Sequence, residues 1–191
     1  MSRRAQEIRP SGIRKFFDLL GEMKDVVSLT VGQPDFVTPW HIRAAAIESL
    51  EAGKTYYTSN AGLPRLREEI SRYLDRRFGL RYDPVTELLV TVGGSEAIDL
   101  AVRGVVDPGD EVIIPTPSFV CDAPLVTLAG GIPVEVATRE ADGFKLTPEA
   151  LRRALTPQTK LVILPFPNNP TGAVVSPEEL SALAALLREK S

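Results

Sequence analysis

Beyond residue 87 the apolar positions take two habits: short continuous runs, and stretches where they recur at every third or fourth place. Continuous runs suit buried strands, and the longer period suits helices with one apolar face. The pattern predicts strands over 88–92, 111–114, 134–137 and 161–166. Between and after them it predicts helices over 95–106, with Ile98, Ala101, Val102 and Val105 inward, and over 119–128, 147–155 and 177–191. Thr147-Pro148-Glu149 reads as a helix start, and Ser176 with Glu179 as a capping box. Upstream, Ile13, Phe16, Phe17 and Leu20 predict a helix ending near Gly21, and residues 28–31 a short strand broken by Gly32-Gln33-Pro34-Asp35. Thr38 and Pro39 read as the N-cap and first position of a helix over 39–52. Leu63-Pro64 opens another, with Leu66, Ile70 and Leu74 on one face and Gly79 closing it. Strands alternating with helices imply an α/β fold, a three-layer sandwich around a mainly parallel sheet. With about four main strands and no glycine stop after the last helix, the fold reads as unfinished.

Composition narrows the functional classes. The 191 residues are 43% hydrophobic, enough for one sizeable core. With 22 basic and 25 acidic residues, a net charge of -3 leaves no electrostatic footprint for nucleic acid or an anionic membrane. Small-molecule chemistry is the expectation. The lone Cys121 excludes an internal disulfide, and the single His41 cannot build a Cys/His metal site. No apolar run approaches the roughly 20 residues that span a bilayer, and Met1-Ser2-Arg3-Arg4 has no apolar stretch behind its arginines. A soluble, cytoplasmic protein is expected.

Candidate chemistry clusters after three of the predicted strands, at the sheet edge where open α/β sheets bind ligands. Pro167-Asn168-Asn169-Pro170-Thr171-Gly172 holds amide side chains on a stiff turn. Gly93-Gly94-Ser95-Glu96 joins a strand directly to a helix. Glycines there let an anion approach backbone amides at a helix N-terminus, although a tight turn uses glycine equally well for geometry alone. The spacing matches neither a nucleotide P-loop nor a dinucleotide fingerprint. Pro115-Thr116-Pro117-Ser118-Phe119 puts an aromatic ring at the same edge, free either to stack on a planar ligand or to join the core.

Together these stretches resemble the class I and II aminotransferases of pyridoxal-phosphate fold type I. Val31-Gly32-Gln33-Pro34-Asp35-Phe36, Tyr56-Tyr57-Thr58 with Gly62-Leu63-Pro64-Arg65-Leu66-Arg67-Glu68, and Asp107-Pro108-Gly109-Asp110-Glu111-Val112 resemble the family as well, in order along nearly the whole chain. The resemblance implies the N-terminal portion of a fold type I protein. Residues 1–30 would belong to its small domain and residues 31–191 to an incomplete large, cofactor-binding domain. It implies that Gly94, Ser95 and Glu96 cradle the pyridoxal 5'-phosphate phosphate, that Phe119 stacks on the pyridine ring, and that Asn169 binds the ring's phenolic oxygen. Gly32, with Asn169, would admit a substrate carboxylate, and Tyr57 would reach the phosphate of a neighbouring subunit in a homodimer. The activity implied is transfer of an amino group between an amino acid and a 2-oxo acid in amino-acid metabolism and biosynthesis.

The family's lysine that binds the cofactor covalently, its ring-nitrogen carboxylate and its substrate-clamping arginine fall past Ser191, so the 191 residues are expected to be inactive alone, with no catalytic residue among them. Lys15, Lys24, Lys54, Lys145, Lys160 and Lys190 read as solvated charges, and Cys121, Trp40 and His41 as structural. Ser95 stands where some aspartate-type relatives carry a lysine, which weakens a dicarboxylate preference. A carbon-sulfur lyase or a cyclopropane-forming synthase would share these motifs, and a non-catalytic phosphate-binding fragment is the rival of another class.

Overall fold

A computed structural model describes residues 1–8, 12, 27, 32 and 34–189. The helix expected over residues 13–20 and the strand over 28–31 lie outside them. Two compact units divide the chain: Met1–Pro10 with Val92–Ser191, and Ser11–Thr91.

The first unit is the α/β sandwich. Its elements in chain order are helices α1 (Arg3–Glu7) and, numbered to include two helices of the second unit, α4 (Gly94–Val105), strand β1 (Glu111–Thr116), α5 (Asp122–Ala129), β2 (Ile132–Ala137), a 3-10 turn (Glu140–Asp142), α6 (Pro148–Ala154), β3 (Thr159–Val162) and α7 (Pro177–Arg188). The three strands run parallel in the order β2-β1-β3, with β1 central. Successive side chains of a strand face opposite sides, and β1 uses both. Val112 and Ile114 pack with Val102, Val106 and Val126 beneath α4 and α5. Ile113 packs with Leu146, Leu151, Leu183 and Leu186 beneath α6 and α7. Helices therefore cover both faces, which explains the uninterrupted apolar run of β1. Full burial of each such residue contributes roughly 1.5–3 kcal/mol.

Several predicted boundaries move. Residues 88–92 join no β ladder among the described residues, and Val92 is 93% exposed. High β-propensity makes a strand only when a neighbour pairs with it. On α4, Ile98 and Val102 face the core as expected, while Ala101 and Val105 are exposed. The helix expected from residue 119 starts at Asp122 instead. Pro124 then lies in the first turn, where its missing N–H costs nothing; a start at 119 would put it mid-helix against a carbonyl. The paired part of β3 ends at Val162, although Ile163 N–H still donates to Ile113 O at 3.0 Å.

The second unit holds α2 (Trp40–Glu51) and α3 (Pro64–Phe78). Pro39 occupies the N-cap of α2 and no side chain caps it, so Thr38 does not take the capping role expected of it. Leu63 is the N-cap of α3, Pro64 its first residue and Gly79 its C-cap, as the pattern predicts. Arg67 is buried on α3 and donates through Nη1 to Val85 O at 3.1 Å. Gly62 abuts Val90 so closely that a Cβ there would lie 2.6 Å from the valine Cβ. That contact, with the bond from Val90 N–H to Ala61 O at 3.1 Å, requires glycine.

Candidate functional site

Gly93 is the N-cap of α4, with φ 86 and ψ 172, a backbone conformation essentially confined to glycine. Gly94, Ser95 and Glu96 form the first turn, whose amide N–H groups have no acceptor within the helix. Nothing within 4 Å would meet a Cβ at Gly93 or Gly94, so the space over this backbone is open. Exposed amides, an open approach and the positive end of a twelve-residue helix are the features that an anion-binding helix start requires. The Glu96 carboxylate accepts a hydrogen bond from Val92 N–H, ahead of the glycine turn. It thus caps the turn from one side only, since the N-cap Gly93 has no side chain to reciprocate, and the carboxylate is engaged by that N–H.

Contacts within the first unit link this helix start to the neighbouring loops. Ser95 Oγ lies 3.9 Å from Cys121 Sγ, the half-buried residue just before α5. Cys121 closes the loop that begins after β1 and contains the half-buried Phe119. Within that loop the Ser118 hydroxyl donates to Asp122, which is 2% exposed, and Asp122 N–H donates to Phe119 O at 3.1 Å. On the other side, Asn168 Nδ2 donates to Pro117 O at 3.3 Å. Three loops at the carboxyl ends of residues 88–92, β1 and β3 are therefore linked by direct contacts.

The two asparagines differ sharply. Asn168 is 8% exposed, while Asn169 is exposed and no hydrogen bond engages its side chain among the described residues. Asn168 Oδ1 accepts from Thr171 N–H at 3.2 Å and from Thr171 Oγ1 at 3.0 Å. Sequence reasoning placed both asparagines on the turn but gave a role to Asn169 alone, and it did not anticipate the hydrogen bonds of Asn168, Ser118 and Asp122. The Asn-x-x-Thr spacing was the available signal, because an asparagine side chain closes turns onto residues just downstream. In the second unit Tyr57 is fully exposed, and Gly32 is exposed with open space where a Cβ would stand. Among the described residues no cluster of three His, Cys, Asp or Glu could hold a metal ion, and no helix is long and apolar enough to cross a membrane.

The family model for aminotransferase class I and II matches residues 24–191. YugH of Bacillus subtilis (strain 168), which carries an aminotransferase name, is 56% identical over 184 residues, covering 96% of this chain and 48% of that protein. The aspartate aminotransferase of Pyrococcus abyssi (strain GE5 / Orsay) is 45% identical over 184 residues, covering 96% of this chain and 47% of that protein. Among solved structures, the aspartate aminotransferase from Thermus thermophilus with maleate superposes with a TM-score of 0.91 at 44% identity, covering 100% of this chain and 51% of that one. The chain spans about half the length of the curated relatives it matches. A family model matched over most of the chain, with close relatives and the same parallel α/β architecture, shows that the chain belongs to the aminotransferase class I and II family.

Proposed function

We propose that this chain carries the phosphate- and ring-binding part of a pyridoxal-phosphate-dependent aminotransferase. The observation that carries the proposal is the continuous contact from the Gly94–Glu96 cup through Ser95 and Cys121 to the Phe119 loop, and on through Asn168 to the Asn169 loop. A phosphorylated planar heterocycle needs those three features together: an anion grip, a stacking ring and a polar edge contact. The donor set suits this cofactor, since neutral amides and a hydroxyl around open backbone accept a phosphate while the nearby carboxylate is bonded elsewhere.

Gly94, Ser95 and Glu96 would hold the phosphate, Phe119 the ring face and Asn169 the phenolic oxygen. Gly32, with Asn169, would admit the substrate carboxylate. Tyr57 would reach a second copy's phosphate in a cytoplasmic homodimer, and its full exposure supports that role. When bound, pyridoxal phosphate supplies an electron sink that lets an amino acid lose its Cα proton and pass its amino group to a 2-oxo acid. The aminotransferase names of the relatives support this reading over a lyase. The 191 residues by themselves would bind without turning over.

Titration of the chain with pyridoxal phosphate, followed by absorbance, tests the proposal. Weak, reversible binding is expected, competed by inorganic phosphate and weakened by Phe119→Ala and Asn169→Ala, with no borohydride-stable adduct specific to one lysine. Binding indifferent to both variants and to phosphate would overturn it.

A further inference from the structure

Resting on the cofactor reading above, we infer that Asn168 is a positioning residue, fixing the Phe119 loop and the Asn169 loop to each other so that ring and amide act as one recognition unit. Its carboxamide lies between the two loops, 8% exposed, and its orientation is forced by its neighbours. Pro117 O can only accept, so it faces Nδ2 at 3.3 Å. Thr171 N–H can only donate, so it faces Oδ1 at 3.2 Å. No other side chain of this length presents a donor and an acceptor in one plane. Aspartate keeps the Thr171 contacts but sets a carboxylate against a carbonyl; alanine loses both.

The Asn168 backbone completes the clamp. Its N–H donates to Ala173 O at 2.9 Å and its carbonyl accepts from Gly172 N–H at 2.8 Å, so the segment 168–173 closes on itself around the exposed Asn169. Asn169 has no side-chain hydrogen bond among the described residues, and its position follows from that clamp. Phe119 sits in the loop that Pro117 O anchors at one end and the Ser118–Asp122 bond at the other. Removing the bond from Asn168 to Pro117 takes away a hydrogen bond between the loops while each keeps its internal bonds.

The test compares Asn168→Asp, Asn168→Ala and Thr171→Val in the 191-residue chain by amide hydrogen exchange and by titration with pyridoxal phosphate and with inorganic phosphate. Asn168→Asp is expected to speed exchange in segments 118–122 and 171–173 together, leaving β1 unchanged. It should weaken pyridoxal phosphate about tenfold, the scale of one buried hydrogen bond, and leave inorganic phosphate unaffected. Thr171→Val should loosen segment 171–173 with little change at 118–122. Loosening confined to 171–173 in Asn168→Asp, or equal weakening of both ligands, overturns the inference. Should Asn168→Ala fail to fold, Asn168→Asp decides. If the unaltered chain does not prefer pyridoxal phosphate to phosphate, the cofactor reading falls, and the joint or separate loosening of the two loops still decides whether Asn168 couples them.

Discussion

Gly93 shows how much one backbone conformation can control. At φ 86 and ψ 172 an alanine would strain the turn, costing about 1–3 kcal/mol. The Glu96 cap over Val92 N–H depends on the same turn. Gly93→Ala should therefore lower stability by that amount in denaturant unfolding and weaken inorganic phosphate binding in the same titration; unchanged values for both would mean that this turn holds no phosphate. Ser95→Ala should lose at most about tenfold in phosphate affinity, because one hydroxyl donor goes while the amides stay. The glycine pair ahead of a helix was legible in the sequence, as was the awkwardness of Glu96 beside an anion. That the carboxylate turns away to cap the helix start was legible too; its partner, the Val92 N–H, was not, since no side chain marks a backbone amide.

Elements with local capping chemistry were legible, and those defined by pairing or distant packing were not. Thr147 caps α6 by accepting from Ala150 N–H at 3.1 Å, and the Ser176–Glu179 capping box forms at α7 as predicted. Helix α1 carries no apolar periodicity and was not anticipated; Arg4 Nη1 docks it onto Leu128 O at 3.3 Å, a contact 124 residues away. At α7, Ser176→Ala should cost about 1 kcal/mol. The Glu179 carboxyl is held below the ordinary glutamate value, first by the backbone N–H of Ser176 and then by Lys145, whose Nζ lies 2.9 Å away. A lowered folded value means that the charged form's contribution is present above about pH 4.3 and is lost as pH falls through the folded value. Glu179→Gln should flatten that acid limb of the stability curve, measured by circular dichroism between about pH 2 and pH 6, across the usual carboxylate range. An unaltered limb would assign the acid response to other carboxylates.

At the scale of the whole molecule, the parallel sandwich follows from the alternation of apolar runs and periods, and β1 anchors both cores because its run has no polar interruption. The second unit follows a different logic. Helix α2 has twelve residues and no buried one, and Trp40 is 69% exposed alongside exposed Ile42, Ile47 and Leu50. An isolated helix below about 12–15 residues is marginal in water and draws its stability from packing. Exposed Phe36, Val37, Tyr56 and Tyr57 flank it in sequence, so among the described residues this stretch concentrates exposed apolar side chains. Association is the expected outcome, with a second copy covering the α2 surface, as the proposed homodimer requires. Sedimentation at micromolar concentration should show concentration-dependent dimerisation, and Trp40→Asp with Leu50→Asp should shift it to monomer while unit Val92–Ser191 keeps its cooperative unfolding. A monomer whose α2 amides are already strongly protected from exchange would contradict this, because the helix would then be stabilised without any partner.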